Sequence, residues 1–126
     1  MPIRSSQDLV LVRQAVRTWS AELKFSLVEQ TKMVTAASEL ARNTLDYGGG
    51  GHVTLQMVQE GIRRGLRLSF EDQGPGIPDI DLALRDGYTS GGGMGLGLGG
   101  SKRLVNEFEI VSKVGEGTRV TVTRWK

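Results

Sequence analysis

The chain has 126 residues and nearly balanced charge, with 16 Lys and Arg against 14 Asp and Glu. This length predicts a single domain, residues 1–126, with one hydrophobic core. The basic residues are spread along the chain, so neither nucleic acid nor a membrane is an expected partner. The sequence has no cysteine and one histidine, which excludes disulfides and cysteine metal sites. No apolar run reaches membrane-spanning length, and a cytoplasmic location is the simplest expectation.

Two helices are predicted in the first half of the chain. The first starts at Ser5, within a Ser-x-x-Asp pattern, and its apolar spacing of three to four residues continues to about Leu23. The second starts at Ser26, where Glu29 completes a capping box, and ends at the glycine run 48–51. Its expected apolar face consists of Leu27, Val28, Met33, Val34, Ala37, Leu40, Ala41 and Leu45.

The rest of the chain alternates between strand and glycine-rich patterns. A short edge strand is predicted at residues 2–4, and two hairpins are predicted at 52–59 with 62–71 and at 108–114 with 118–125. A short helical segment at 80–85 and a helix at 98–107 lie between the hairpins. The predicted fold class is α/β, a two-layer sandwich with a mixed, mostly antiparallel sheet and helices on one face.

More than half of the 18 glycines lie between Asp72 and Gly100. Because glycine costs conformational entropy on folding, this density predicts that the backbone here must approach another group closely. We interpret the stretch as a lid that surrounds an anion with N–H groups and ends at a helix N-terminus; a flexible surface loop is the alternative. Gly95-x-Gly97-x-x-Gly100 matches the dinucleotide fingerprint, but an antiparallel hairpin follows it where parallel units should continue. A P-loop and the protein-kinase signature set are both absent.

Polar residues at helical spacing form the first candidate site. Glu39 and Asn43 lie four residues apart on the second predicted helix and therefore share a face. A carboxylate there can accept a proton, and an amide oxygen can bind a hard cation such as Mg²⁺. Asp46 extends the same stripe. A solvated helix face is the alternative interpretation.

Two further polar residues lie at strand ends. Asp72 ends the central strand, where its carboxylate could accept a hydrogen bond from an exocyclic amine and so select adenine over guanine. The alternative is an Asp that only forms the turn before Gly-Pro-Gly. Thr118 opens the last strand, either as a second polar contact or as an ordinary β-branched strand residue.

Three motifs in this order resemble the GHKL superfamily of ATP-binding domains, which have the Bergerat fold. They are Glu39-x-x-x-Asn43, Asp72-Gln73-Gly74-Pro75-Gly76 and Gly93-x-Gly95-Leu96-Gly97-Leu98. The resemblance covers residues 26–122. The chain has no room for the second, lysine-bearing domain of gyrase-like ATPases or for the histidine-bearing domain of histidine kinases. The chain is then most similar to the freestanding anti-sigma-factor serine/threonine kinases. Within these, residues 2–5, 38–43 and 92–98 resemble the switch kinases of the stressosome.

The resemblance implies a role for each matching residue. Glu39 would be the general base, Asn43 the Mg²⁺ ligand and Asp72 the carboxylate that reads adenine. Gly74 and Gly76 would let the backbone pass close to ATP. The other implied ATP contacts are Asp46, Ile77, Gly93, Gly95, Leu96, Gly97, Leu98 and Thr118.

One departure from some relatives concerns phosphate charge. Residues 86–101 contain no Lys or Arg. The negative charge of the phosphates would then be neutralised by backbone N–H groups and Mg²⁺, together with Arg85 or Lys102.

The implied function is an ATP-dependent protein serine/threonine kinase of a partner-switching stress-signalling module. It would phosphorylate STAS-domain scaffold or antagonist proteins and, once released, activate a PP2C-type phosphatase. Exposed Arg13 and Arg17 of the first helix are candidate partner contacts, and a homodimer is left open. Three alternatives remain: an ATP-gated binding module without phosphoryl transfer, a fragment of a larger ATPase, and a glycine-rich domain without nucleotide.

Overall fold

The computed structural model describes residues 1–84 and 97–126. The elements in chain order are β1 (Pro2–Ile3), α1 (Ser6–Glu22), α2 (Leu27–Asp46), β2 (Gly51–Glu60), β3 (Arg63–Asp72), α3 (Ile80–Ala83), α4 (Gly97–Arg103), β4 (Glu107–Lys113) and β5 (Gly117–Trp125).

Both long helices begin at the predicted serine caps. The Ser5 hydroxyl accepts a hydrogen bond from the Asp8 N–H at the start of α1. At α2 the bonds are reciprocal: Ser26 Oγ accepts from Glu29 N at 3.1 Å, and Glu29 Oε1 accepts from Ser26 N at 2.9 Å. These bonds satisfy N–H groups that have no partner within the helix, which fixes where each helix starts.

The five strands of residues 1–84 and 97–126 form one sheet in the order β1-β2-β3-β5-β4, and each pair is antiparallel. The register places Val53, Phe70, Val120 and Ile110 side by side, so these side chains share one face. That apolar face packs against α1 and α2 in a single core. The two-layer sandwich is therefore confirmed, and the sheet in the described residues is antiparallel throughout.

The core joins helix and strand residues from both halves of the chain. Its buried members are Ile3, Leu9, Val12, Val16, Leu23, Phe25, Met33, Ala37, Leu40, Ala41, Val53, Leu66, Leu68, Phe70, Leu98, Val120 and Val122. Leu98 is notable because it belongs to the first turn of α4, so the core holds the end of the glycine stretch against α2.

The predicted apolar face of α2 was wrong at its start. Leu27 and Val28 are 77% and 64% exposed, whereas Ala36 and Thr44 are buried. At roughly 100° per residue, Leu27 and Val28 lie more than 100° around the helix from Met33, at the middle of the buried face. Hydrophobic character alone therefore misassigned them.

The helix predicted at residues 98–107 ends earlier, at Arg103. The Arg124 guanidinium donates to the Leu104 carbonyl at 2.9 Å, and Asn106 N donates to Thr123 O at 3.0 Å. Because these bonds bring the chain onto β5, the helix cannot continue and β4 begins at Glu107.

Candidate functional site

A cavity of about 370 Å³ lies where the C-terminal half of α2 meets the end of β3 and the start of β5. The segment after β3 and the first turn of α4 complete its walls. The described residues that line it are Leu40, Asn43, Thr44, Tyr47, Gly48, Phe70, Asp72, Pro75, Gly76, Ile77, Pro78, Asp79, Leu82, Ala83, Leu98, Thr118 and Val120. Asn43, Asp72 and Thr118, which the sequence analysis predicted as site residues from three separate segments, thus line one cavity.

Asp72 is held in place from two sides. Its Oδ1 accepts a hydrogen bond from the Gly74 N–H at 2.9 Å. Its Oδ2 lies against Gly48, where an added Cβ would be 2.6 Å from Oδ2 and 2.4 Å from Cγ. Among residues 1–84 and 97–126 no donor bonds Oδ2, so this oxygen is available to accept a hydrogen bond from a ligand.

Sequence reasoning missed Gly48 as a site residue. It was interpreted only as part of the glycine run that ends α2, and its N–H does bond the Asn43 carbonyl at 3.3 Å. Its second role follows from the fold, because the backbones of Gly48 and Gly74 also cross closely: a Cβ on Gly74 would lie 2.7 Å from Gly48 Cα. Only a structure shows which glycine faces a carboxylate.

The segment 75–77 is fixed to the end of β4 and to the turn that follows it. Gly115 N donates to Pro75 O at 2.8 Å, and Ile77 N donates to Ser112 Oγ at 2.8 Å. Gly76 has φ +79°, and a Cβ there would lie 2.3 Å from Lys113 O. Glycine is therefore required by the close approach of two backbones, and Gly76 and Ile77 line the cavity as a result.

The polar stripe on α2 separates into three environments. Asn43 lines the cavity. Glu39, one turn earlier, is partly exposed and is not among the lining residues. Asp46 is also outside the lining and lies 3.8 Å from the Arg42 guanidinium.

Part of the predicted lid lies outside the described residues, namely Gly93, Gly95 and Leu96, together with Arg85. Gly97 begins α4, and Leu98 lines the cavity. Lys102 is exposed in the last turn of α4. The described end of the stretch thus reaches the cavity through an apolar side chain.

The apolar and polar side chains that line the cavity fit an adenine nucleotide. Phe70, Leu98 and Val120 provide apolar walls for a flat ring, and Asp72 with Thr118 provides acceptors for an exocyclic amine. A magnesium ion fits the amide oxygen of Asn43, since Mg²⁺ prefers oxygen ligands and keeps several waters. Within residues 1–84 and 97–126, no group of three or more His, Cys, Asp or Glu side chains could hold a metal alone.

Comparison with known families agrees with this geometry. The model for histidine kinase-, DNA gyrase B- and HSP90-like ATPases matches residues 28–126. The chain belongs to this ATPase family. The match includes both walls of the cavity, from α2 to the end of β5.

Individual relatives show which group of the ATPase family the chain is similar to. The chain is 44% identical to the serine/threonine-protein kinase RsbT of Bacillus subtilis, over 98% of this chain and 92% of RsbT. It is 29% identical to the anti-sigma F factor of Clostridium kluyveri, over 97% of this chain and 89% of that protein. The resemblance to the GHKL anti-sigma-factor kinases is thereby confirmed, and with it the enzyme class, a protein serine/threonine kinase.

Solved structures show the same fold. The RsbU and RsbW domains of Rv1364c from Mycobacterium tuberculosis align with a TM-score of 0.68 at 22% identity, over 99% of this chain and 31% of that one. This chain thus spans about a third of that longer protein. The mycobacterial sensor histidine kinase MprB aligns with a TM-score of 0.58 at 22% identity, over 76% of this chain and 71% of that one. In the part of the chain that the structure describes, no helix has the length and apolar character needed to cross a membrane.

Proposed function

We propose that residues 1–126 form one ATP-binding kinase domain that transfers phosphate to a serine or threonine of a partner protein. One observation supports this proposal above the others. Asn43, Asp72 and Thr118, which lie far apart in the sequence, line a single cavity with otherwise mostly apolar walls. Mostly apolar walls with a few convergent polar groups are typical of small-molecule sites, and these acceptors suit a base that carries an amine.

Adenine binding is assigned to the β3 and β5 side of the cavity. Asp72 Oδ2 accepts from the exocyclic amine, while the hydrogen bond from Gly74 to Oδ1 holds the carboxylate in orientation. Phe70 and Val120 pack against the ring. Asp46, Gly74 and the lid residues stay predicted contacts.

Phosphate binding is assigned to the α2 and α4 side. Asn43 would hold Mg²⁺ through its side-chain oxygen, and the ion would neutralise phosphate charge. Leu98 closes the apolar wall at the start of α4.

Glu39 is proposed as the general base. It lies one turn before Asn43 on the same face of α2 and is partly exposed, and we assign it to the hydroxyl that a partner brings. The acceptor oxygen forms a bond to the γ-phosphorus while the bond to the bridging oxygen breaks and ADP leaves. The hydroxyl proton passes to the Glu39 carboxylate.

The proposed partners are a STAS-domain scaffold or antagonist protein as phosphoacceptor and a PP2C-type phosphatase that the released kinase activates. Their basis is the three sequence motifs, together with the similarity to RsbT. We place this partner switch in a cytoplasmic stressosome pathway.

The test is phosphate transfer from labelled ATP to a STAS-domain protein encoded in the same genome. Glu39→Ala and Glu39→Gln should each lower the transfer rate by about 10²-fold or more, because a positioned general base contributes about 10²–10⁴-fold. ATP affinity should change little, since Glu39 does not line the cavity. Glu22→Gln, an exposed glutamate at the end of α1, is the matched control and should transfer normally.

The position of Glu39 outside the cavity lining also favours a second candidate, the ATP-gated binding module. The same variants separate the two. Wild-type transfer by Glu39→Ala would reject the base assignment, and absence of transfer by the wild type with intact, ATP-dependent partner binding would favour the module.

A further inference from the structure

Ser112 on β4 makes three hydrogen-bond contacts beside the cavity without lining it. Its Oγ lies 2.8 Å from Ile77 N, 3.2 Å from Gly117 O and 2.8 Å from Thr118 Oγ1. Ser112 and Thr118 are cross-strand partners, so their side chains share the face of the sheet that bears Asp72. The hydroxyl therefore connects the segment after β3 to the threonine of the cavity.

The direction of these bonds follows from what each partner can do. The Ile77 N–H can only donate, and the Gly117 carbonyl can only accept. A serine hydroxyl has one proton and two acceptor sites. All three contacts become hydrogen bonds only if Ser112 donates to Gly117 O and accepts from both Ile77 N and Thr118 Oγ1.

We infer that Ser112 is a positioning residue for base selection: its Oγ accepts the hydrogen bond of the Thr118 hydroxyl, so that Thr118 presents only acceptor lone pairs to the cavity. This inference rests on the proposed nucleotide site. Asp72, the cross-strand partner of Thr118, is also an acceptor, so this pair presents acceptors alone to the base. A 6-amino purine can donate to them, whereas a 6-oxo purine places its own acceptor oxygen against them.

Removing the Ser112 hydroxyl should weaken this selection. Thr118 would be free to turn its proton into the cavity and donate to a 6-oxo group. The gain of a single hydrogen bond corresponds to roughly three- to tenfold in affinity. Asp72 is unchanged, so a part of the preference for ATP should remain.

The test is titration of the full chain with Mg·ATP and with Mg·ITP, which has the 6-oxo base, by calorimetry. In Ser112→Ala the ratio of ATP to ITP affinity should fall by about three- to tenfold, mainly through tighter ITP binding. Ser112→Thr and Ser112→Val form a matched pair that differs in the hydroxyl alone. Ser112→Thr should keep the wild-type ratio, and Ser112→Val should lose it as Ser112→Ala does.

A second hydroxyl pair in the same sheet provides the control. Ser69 Oγ lies 3.2 Å from Thr121 Oγ1 on the opposite face, away from the cavity. Ser69→Ala should leave both affinities unchanged. In a Thr118→Val background, Ser112→Ala should no longer alter the ratio, because no threonine O–H remains to turn into the cavity.

The outcomes are distinguishable. An equal loss of ATP and ITP affinity in Ser112→Ala, or no change in either, would overturn the role of Ser112 in selection while leaving the nucleotide site intact. A wild-type chain that binds neither nucleotide would overturn the proposed function itself. If Ser112→Ala fails to fold, the comparison of Ser112→Thr with Ser112→Val decides: equal ratios contradict the inference.

Discussion

At the scale of single residues, the cavity depends on glycines that leave space for the side chains beside them. Asp72 occupies space that any side chain at Gly48 would need. The backbone at Gly48 does not have positive φ, so steric contact with the carboxylate is the reason for glycine at this position. Gly48 should therefore matter for ligand binding more than for chain folding.

We predict that Gly48→Ala lowers ATP affinity by about tenfold or more, because a displaced Asp72 carboxylate loses its hydrogen bond with the base; a hydrogen bond to a charged group contributes about 1.5–3 kcal/mol. Calorimetric titration with Mg·ATP measures the effect. Gly61→Ala is the control: its φ is +62° and a Cβ there meets nothing within 4 Å. That variant should lose about 1 kcal/mol of stability from backbone strain and keep its ATP affinity. Unchanged ATP affinity in Gly48→Ala would contradict the prediction.

At the scale of helices and strands, local patterns predicted more than long-range ones. Both serine caps, the glycine end of α2 and the two hairpins were predictable, since each is decided within a few residues. The end of α4 was not, because Arg124 and Thr123 fix it from twenty or so residues away. Of the site, Asn43 and Asp72 were predicted from motifs and Thr118 from its place at the start of the last strand. Gly48 and Ser112, in contrast, act through contacts between distant segments, which residue spacing does not reveal.

The capping box of α2 gives a prediction about pH. The hydrogen bond from the Ser26 backbone, with the nearby charges of Arg124 and Lys126, holds the pKa of Glu29 below its ordinary value of 4.5 despite partial desolvation. A carboxyl group with a lowered pKa in the folded state binds fewer protons there than in the unfolded chain. Its stabilisation is therefore complete above the unfolded pKa and is lost as the pH falls through the folded one.

We therefore expect Glu29→Gln to be less stable than the wild type at neutral pH, and the difference to disappear in acid below the folded pKa. Urea unfolding of both proteins across this pH range measures the difference between their free energies of unfolding. The other carboxyl groups are the same in both proteins, so their contributions cancel. Glu22→Gln removes an exposed charge without a cap and should show no such trend. A difference that persisted in acid would mean that Glu29 acts through packing rather than through its charge.

At the scale of the whole molecule, the cavity connects segments that are distant in the sequence. Residues from α2, β3, the segment after β3, α4 and β5 all line it. A ligand that contacts several of these segments binds the folded chain and not the unfolded one. Binding must therefore raise the stability of the molecule by mass action.

The most direct test of the account is thermal unfolding with and without Mg·ATP, in the wild type and in Asp72→Asn. Asparagine keeps the Oδ1 acceptor but places an N–H₂ donor where a donor of the base must approach. At about 100 times the dissociation constant, ATP should add roughly 2.7 kcal/mol and raise the wild-type midpoint by roughly 10 °C. The rise should be largely lost in Asp72→Asn. No rise in the wild type at millimolar nucleotide, or an equal rise in both proteins, would contradict the assignment of this cavity to ATP.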